Sequence, residues 1–209
     1  MFKRLFRSLT SAPLTVTEIL ERGRALPPAK RDIRKLMPII VPAEALDGGW
    51  PGPIVRIDRL PFALGWATLG EMNTFFYVTD AEAAYWAANG IDWRAVALDN
   101  LARLASTNPV SGQKLDADGR PFVQILLHDD AIGPSRLLIP NLFEGVFGTD
   151  YRVAIPERTC AVIYRTDLTP EQSADVDGMI GGCFEHGTEP MCPDRFDPQD
   201  FWHIADIRQ

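Results

Sequence analysis

Apolar residues recur along this chain with different spacings, and each spacing predicts a different element. "LMPIIV", starting at Leu36, is apolar throughout, as a strand buried on both faces must be. "TFFYVT" (74–79) is apolar on both faces of a two-residue period and predicts an internal strand, and "FVQILL" (122–127) predicts another. "YRVAIPERTCAVIY" (151–164) reads as two strands about Pro156-Glu157-Arg158-Thr159, a hairpin-like turn. "DGGWPGP", Asp47 to Pro53, is a loop, because its Gly and Pro density cannot sustain a ladder.

The helical spacings come with their own start signals. Thr79 and Glu82 form a capping box and Gly90 suits the position after a helix, so a helix is expected over 80–89. Asp92 can cap a second helix, whose stripe is Trp93, Val96, Ala97, Asn100, Leu101 and Leu104. Asn100 falls inside that stripe, and a buried amide needs partners, so it is expected to tie the helix to a neighbouring backbone. A third helix is expected from about Pro134 to Gly145. A fourth starts at Thr169-Pro170-Glu171-Gln172, with a cap, Pro in the first turn and Gln three residues on. Thr15 to Gly23 carries a weaker helical pattern, and "LPPAKR" (26–31) breaks it as a linker. The tail "MCPDRFDPQDFWHIADIRQ" reads as irregular, ending in a short strand. With no strict β-α-β alternation and no repeat, the expected class is α+β, a mixed sheet with helices packed against it.

Composition narrows this without changing it. The chain has 209 residues, 46% apolar and 23% charged, which suits one globular domain and excludes general disorder. No apolar run approaches a membrane span, and "MFKRLFRSLTSAPL" has no continuous apolar stretch of the secretory kind. Charge divides the chain. Residues 1–35 hold nine Lys or Arg against three acids, while the rest holds 12 against 25, within a net charge of −7. The expected organisation is a basic arm with a short helix over 1–34 and an α+β domain over 35–209. An acidic body disfavours specific nucleic-acid binding, and the arm suggests at most weak contact with a membrane surface. Three cysteines, Cys160, Cys183 and Cys192, make no disulfide framework and favour a cytoplasmic setting.

Several of these pieces resemble a known family. "LMPII", "ALDNLARL" (97–104), "SRLLIPNLFEGVFGTDYRVAIPERT" (135–159) and "GTEPMCPDRF" (187–196), in that order between Lys35 and Phe201, are similar to the YtpQ-like proteins, an uncharacterised bacterial family. The resemblance implies an intracellular protein of mixed α and β structure and brings no assigned reaction. Thr159 stands where an acid is common in that family, and the basic arm replaces a longer N-terminal portion.

Candidate chemistry is sparse. "LLHDDAIGPSR" (126–136) offers an anion site: a helix N-terminus near Pro134, with Ser135 and Arg136 beside Asp129 and Asp130. The competing reading has the aspartates capping that helix themselves. Cys183, His186, Cys192 and His203 are chemically suited to a structural zinc, though C-x2-H-x5-C-x10-H lacks the usual tight pairs. His128, Asp129 and Asp130 could join a hydrolytic metal site, but adjacent strand residues face opposite ways. Cys160, in the apolar "CAVIY" strand, reads as an inert core thiol. Trp50, in its loop, is a candidate partner anchor. No G-x-S-x-G, HExxH or phosphate-binding Gly-rich loop is present. The expected function is therefore a soluble, non-enzymatic protein-interaction or ligand-sensing module with an unidentified protein partner and no required cofactor. The alternative is a hydrolase acting on an anionic or phosphorylated substrate through Arg136, Ser135, Asp129 and Asp130.

Overall fold

Among the described residues, apolar strands pair into two antiparallel sheets. The computed structural model describes residues 32–70, 74–128, 130 and 132–202. The arm up to residue 31, with its expected helix and linker, lies outside the described residues, as do Asp129 and His203. Asp32 opens the described chain by capping a 3-10 turn, Ile33–Lys35, and pairing with the Arg34 guanidinium. Strand β1 (Leu36–Pro42) follows and is buried through Val41. It runs antiparallel to β3 (Phe62–Leu69), from Leu36 opposite Thr68 to Pro42 opposite Phe62. Two short strands, β2 (Val55–Arg56) and β4 (Phe75–Tyr77), pair with β3 along its other edge. "TFFYVT" is thus a half-buried edge strand rather than an internal one. It is cut short because Thr79 turns its hydroxyl to the next helix.

That helix, α1 (Asp80–Ala88), carries the full capping box, Thr79 with Glu82, and ends before Gly90 at φ +72°. Only a residue without Cβ adopts that left-handed turn freely. Helix α2 (Trp93–Thr107) begins where the Asp92 carboxylate accepts from Ala95 N and buries Trp93, Ala97, Asn100, Leu101 and Ala105. The Asn100 amide donates to the carbonyls of Ile33 and Leu36, tying α2 to the start of β1 as its place in the stripe requires.

The second sheet contains β5 (Gly112–Leu115), β6 (Pro121–Leu127), β7 (Tyr151–Glu157), β8 (Cys160–Arg165) and β9 (Pro190–Phe196), in the order β5-β6-β8-β7-β9. The class is α+β. Every described pair in both sheets is antiparallel, so the expected mixed sheet resolves into two antiparallel ones. The β7–β8 hairpin turns on Arg158 and Thr159 alone, tighter than the four residues expected. The seven-residue β9 falls almost wholly within the tail expected to be irregular. It carries Pro190 and Pro193, which an edge strand tolerates because one side of its ladder has no partner.

The helix expected over 134–145 does not form. Gly133–Leu138 is a 3-10 turn, Ile139 is extended, Asn141 is left-handed at φ +62°, and only α3 (Glu144–Phe147) is α-helical. Pro140 is the cause, since its ring disfavours helical backbone at Ile139 and it has no N–H to donate. Helix α4 (Pro170–His186) starts at a complete Thr169–Gln172 capping box.

Alternation along the second sheet separates two cores. Leu126, Val153, Ile155, Ala161 and Ile163 face the larger one, shared with β1, β3 and α2. Val123, Cys160, Val162 and Tyr164 face the smaller one, closed by Val176, Met179, Ile180 and Cys183 of α4. Among the described residues, no helix is long and apolar enough to cross a membrane.

Candidate functional site

The strand–turn junction at 126–136 is built inward. Gly133 packs so tightly that a Cβ there would sit 2.1 Å from the Leu126 carbonyl oxygen, so only glycine lets the 3-10 turn lie against the end of β6. This seats Arg136 inside the protein at 0% exposure. Its Nη2 donates to Asp130 Oδ2 at 2.7 Å and its Nε to the Asn108 carbonyl at 3.0 Å. Its Nη1 reaches Asp130 Oδ1 and the Ile132 carbonyl, both at 3.4 Å. Asp130 Oδ1 also accepts from the Ile132 amide at 3.0 Å, and Ser135 is buried beside them. His128 lies in the same layer, with Nδ1 3.1 Å from the Asn108 amide nitrogen. Of the groups expected to grip an anion, Arg136 and Asp130 thus grip each other and the backbone. The helix N-terminus that would have attracted the anion is absent, because Pro140 leaves only a 3-10 turn.

Of the residues expected to hold zinc, the described cysteines Cys183 and Cys192 lie on opposite faces of the second sheet. Cys192 stands opposite Ile155 and packs on the larger core, whereas Cys183 packs into the smaller one across the sheet. Among the described residues, no three or more His, Cys, Asp or Glu side chains form a group able to hold a metal ion. Trp50 is half-buried. Its ring lies 4.5 Å from that of Tyr77 and against Gly65, where a Cβ would approach an indole carbon to 2.6 Å.

A concave site lies elsewhere, where the β7–β8 hairpin meets the last turn of α4. A cavity of about 290 Å³ is lined by Leu127, Glu157, Thr159, Cys160, Cys183 and His186, with Gly182, Gly187 and Thr188 at the helix end. Glu157 Oε2 accepts from the Thr159 amide at 2.6 Å and hydroxyl at 2.5 Å, which tightens the two-residue turn and sets Cys160 at the head of β8. Gly187 closes the other side. A Cβ there would lie 2.3 Å from Glu157 Cγ, so a glycine lets the chain leave the helix pressed against the hairpin.

Two sulfurs meet in this cavity, Cys160 Sγ and Cys183 Sγ, at 3.3 Å. Both are free thiols; Cys160 is buried and Cys183 is partly exposed. The hydrogen bond between them holds the Cys183 thiol down to about 7, against the opposing effects of burial and the Glu157 carboxylate. The same bond, followed by burial, pushes Cys160 well up. Cys183 is the less buried of the two, so its sulfur is the better placed to ionise. Cys192 moves up from an ordinary thiol, chiefly through burial. The site can thus present a thiolate nucleophile near neutral pH with a second thiol within reach.

Neither the zinc grouping of Cys183 with His186 nor the inert core role expected of Cys160 anticipates this pair. The signal was present. Val176, Ile180 and Cys183 keep helical spacing on one face, while Cys160, Val162 and Tyr164 keep strand spacing on one face. What periodicity does not convey is that these two faces meet. No family model, curated protein or solved structure matches the chain.

Proposed function

We propose that this protein is a non-enzymatic sensing module that acts through the Cys183 thiol, its ligand being a small electrophile or oxidant that fits the hairpin–α4 cavity. The observation that carries this is the 3.3 Å approach of Cys160 to a partly exposed Cys183 within that cavity. The alternative of a hydrolase using Arg136, Ser135, Asp129 and Asp130 has less support, because Ser135 and Arg136 are buried and Arg136 is spent on internal partners. A cytoplasmic setting belongs to the same proposal, since a reducing compartment keeps such thiols available. So does membership of the YtpQ-like family. Its supporting pieces coincide with β1, α2, the segment from the 3-10 turn through β7, and β9, all of which contribute to the larger core. Any protein partner would read the modified state of the site.

Alkylation of the native chain by iodoacetamide near neutral pH, followed at peptide level by mass spectrometry, tests the reading. Cys183 is expected to react first, well ahead of Cys192 and Cys160. Labelling of Cys183 no faster than Cys192 would overturn it.

A further inference from the structure

We infer that Cys160 and Cys183 are a peroxide-responsive pair that closes reversibly into a disulfide, with Cys183 the attacking sulfur and Cys160 the resolving one. The inference rests on the sensing reading above and names its ligand class, a hydroperoxide.

The geometry sets the roles. Cys160 heads β8, with Leu127 opposite it on β6 and Glu157 opposite it on β7, so its backbone is held on both sides. Cys183 lies in the last turn of α4, next to Gly181 and Gly182, around which there is open space. A disulfide needs its sulfurs at about 2.0 Å, so the pair must close by roughly 1.3 Å. Cys183 is the partly exposed partner, so rotation of its side chain supplies that shift. Cys192 packs on the opposite face of the sheet and cannot compete as resolving thiol without unfolding.

The chemistry balances as two displacements. The Cys183 thiolate attacks one peroxide oxygen, the O–O bond breaks, and the departing alkoxide or hydroxide takes a proton from solvent. Cys183 is now a sulfenic acid, oxidised by two electrons as the peroxide is reduced. The Cys160 sulfur then attacks the Cys183 sulfur; the S–S bond forms, the S–O bond breaks, and the hydroxide leaves with the Cys160 proton as water. The product ties the end of α4 to the hairpin and removes the nucleophile from the cavity. A dithiol reductant reverses it.

The test treats the full native chain with hydrogen peroxide, blocks remaining thiols and maps the non-reduced peptides by mass spectrometry. The expected result is an intramolecular Cys160–Cys183 link with Cys192 still a thiol, lost on adding dithiothreitol. The Cys160→Ser variant should instead accumulate a Cys183 sulfenic acid that dimedone traps. Carriage of wild-type Cys183 to sulfinic acid while Cys160 stays free would overturn the inference, as would links only between molecules. A Cys183 that alkylates rapidly but forms no link overturns the disulfide alone. One that neither alkylates nor oxidises overturns the sensing reading with it.

Discussion

Removing the Asp130 carboxylate would leave the Arg136 guanidinium inside the protein with only carbonyl oxygens to receive its protons. An uncompensated buried charge of this kind typically costs about 3–5 kcal/mol, whereas replacing both partners by apolar residues is often nearly neutral. Asp130→Ala is therefore expected to lower the urea midpoint strongly, and Asp130→Leu combined with Arg136→Met to recover most of the loss. Equal loss in the single and double variants would refute an internal structural role for the pair. At this scale the sequence was informative about residue types and silent about direction. Asn100 in an apolar stripe had to find backbone partners, and it does. Arg136 looked like a ligand-binding cation because neither charge nor spacing says which way a side chain points, and the close packing of Gly133 turns it inward.

Elements with explicit start signals were the legible ones. Both capping boxes and the Asp92 cap appear where their residue patterns place them, because each is a local hydrogen-bond exchange needing no distant partner. The exceptions have local causes too, which apolar spacing outweighed. Pro140 broke the helix expected over 134–145, and two prolines concealed the edge strand β9. The short strand β5 drew no expectation, although Asp118-Gly119 beside it is a turn signal and Gly119 takes φ +77°. Helix α4 has an unusual interior with Gly178, Gly181 and Gly182, around which a Cβ would meet nothing within 4 Å. Glycine in an exposed helix interior costs roughly 0.8–1 kcal/mol relative to alanine. Gly178→Ala, away from the cavity, is thus expected to raise stability in urea unfolding by about that amount without slowing Cys183 alkylation. A destabilised Gly178→Ala protein would show that the glycine has a packing role.

For the whole molecule, alternation along the second sheet matters most, because it divides the interior into two cores and assigns each cysteine to one. Cys160 and Cys183 fall in the smaller core and Cys192 against the larger, so the chemistry follows from which face of the sheet α4 covers. The Cys160–Cys183 contact between β8 and α4 joins residues 23 positions apart, beyond what local periodicity reports. The α+β class was legible for the converse reason, that it depends only on the order and kind of elements. The paired sulfurs should make Cys183 a nucleophile near neutral pH, which shows in its alkylation rate against pH. A lowered pKa means the thiolate persists to lower pH, so the rate should rise with pH through a midpoint of about 7 and level off above it. A midpoint at the ordinary thiol value of about 8.5, or no labelling until the protein unfolds, would contradict the account.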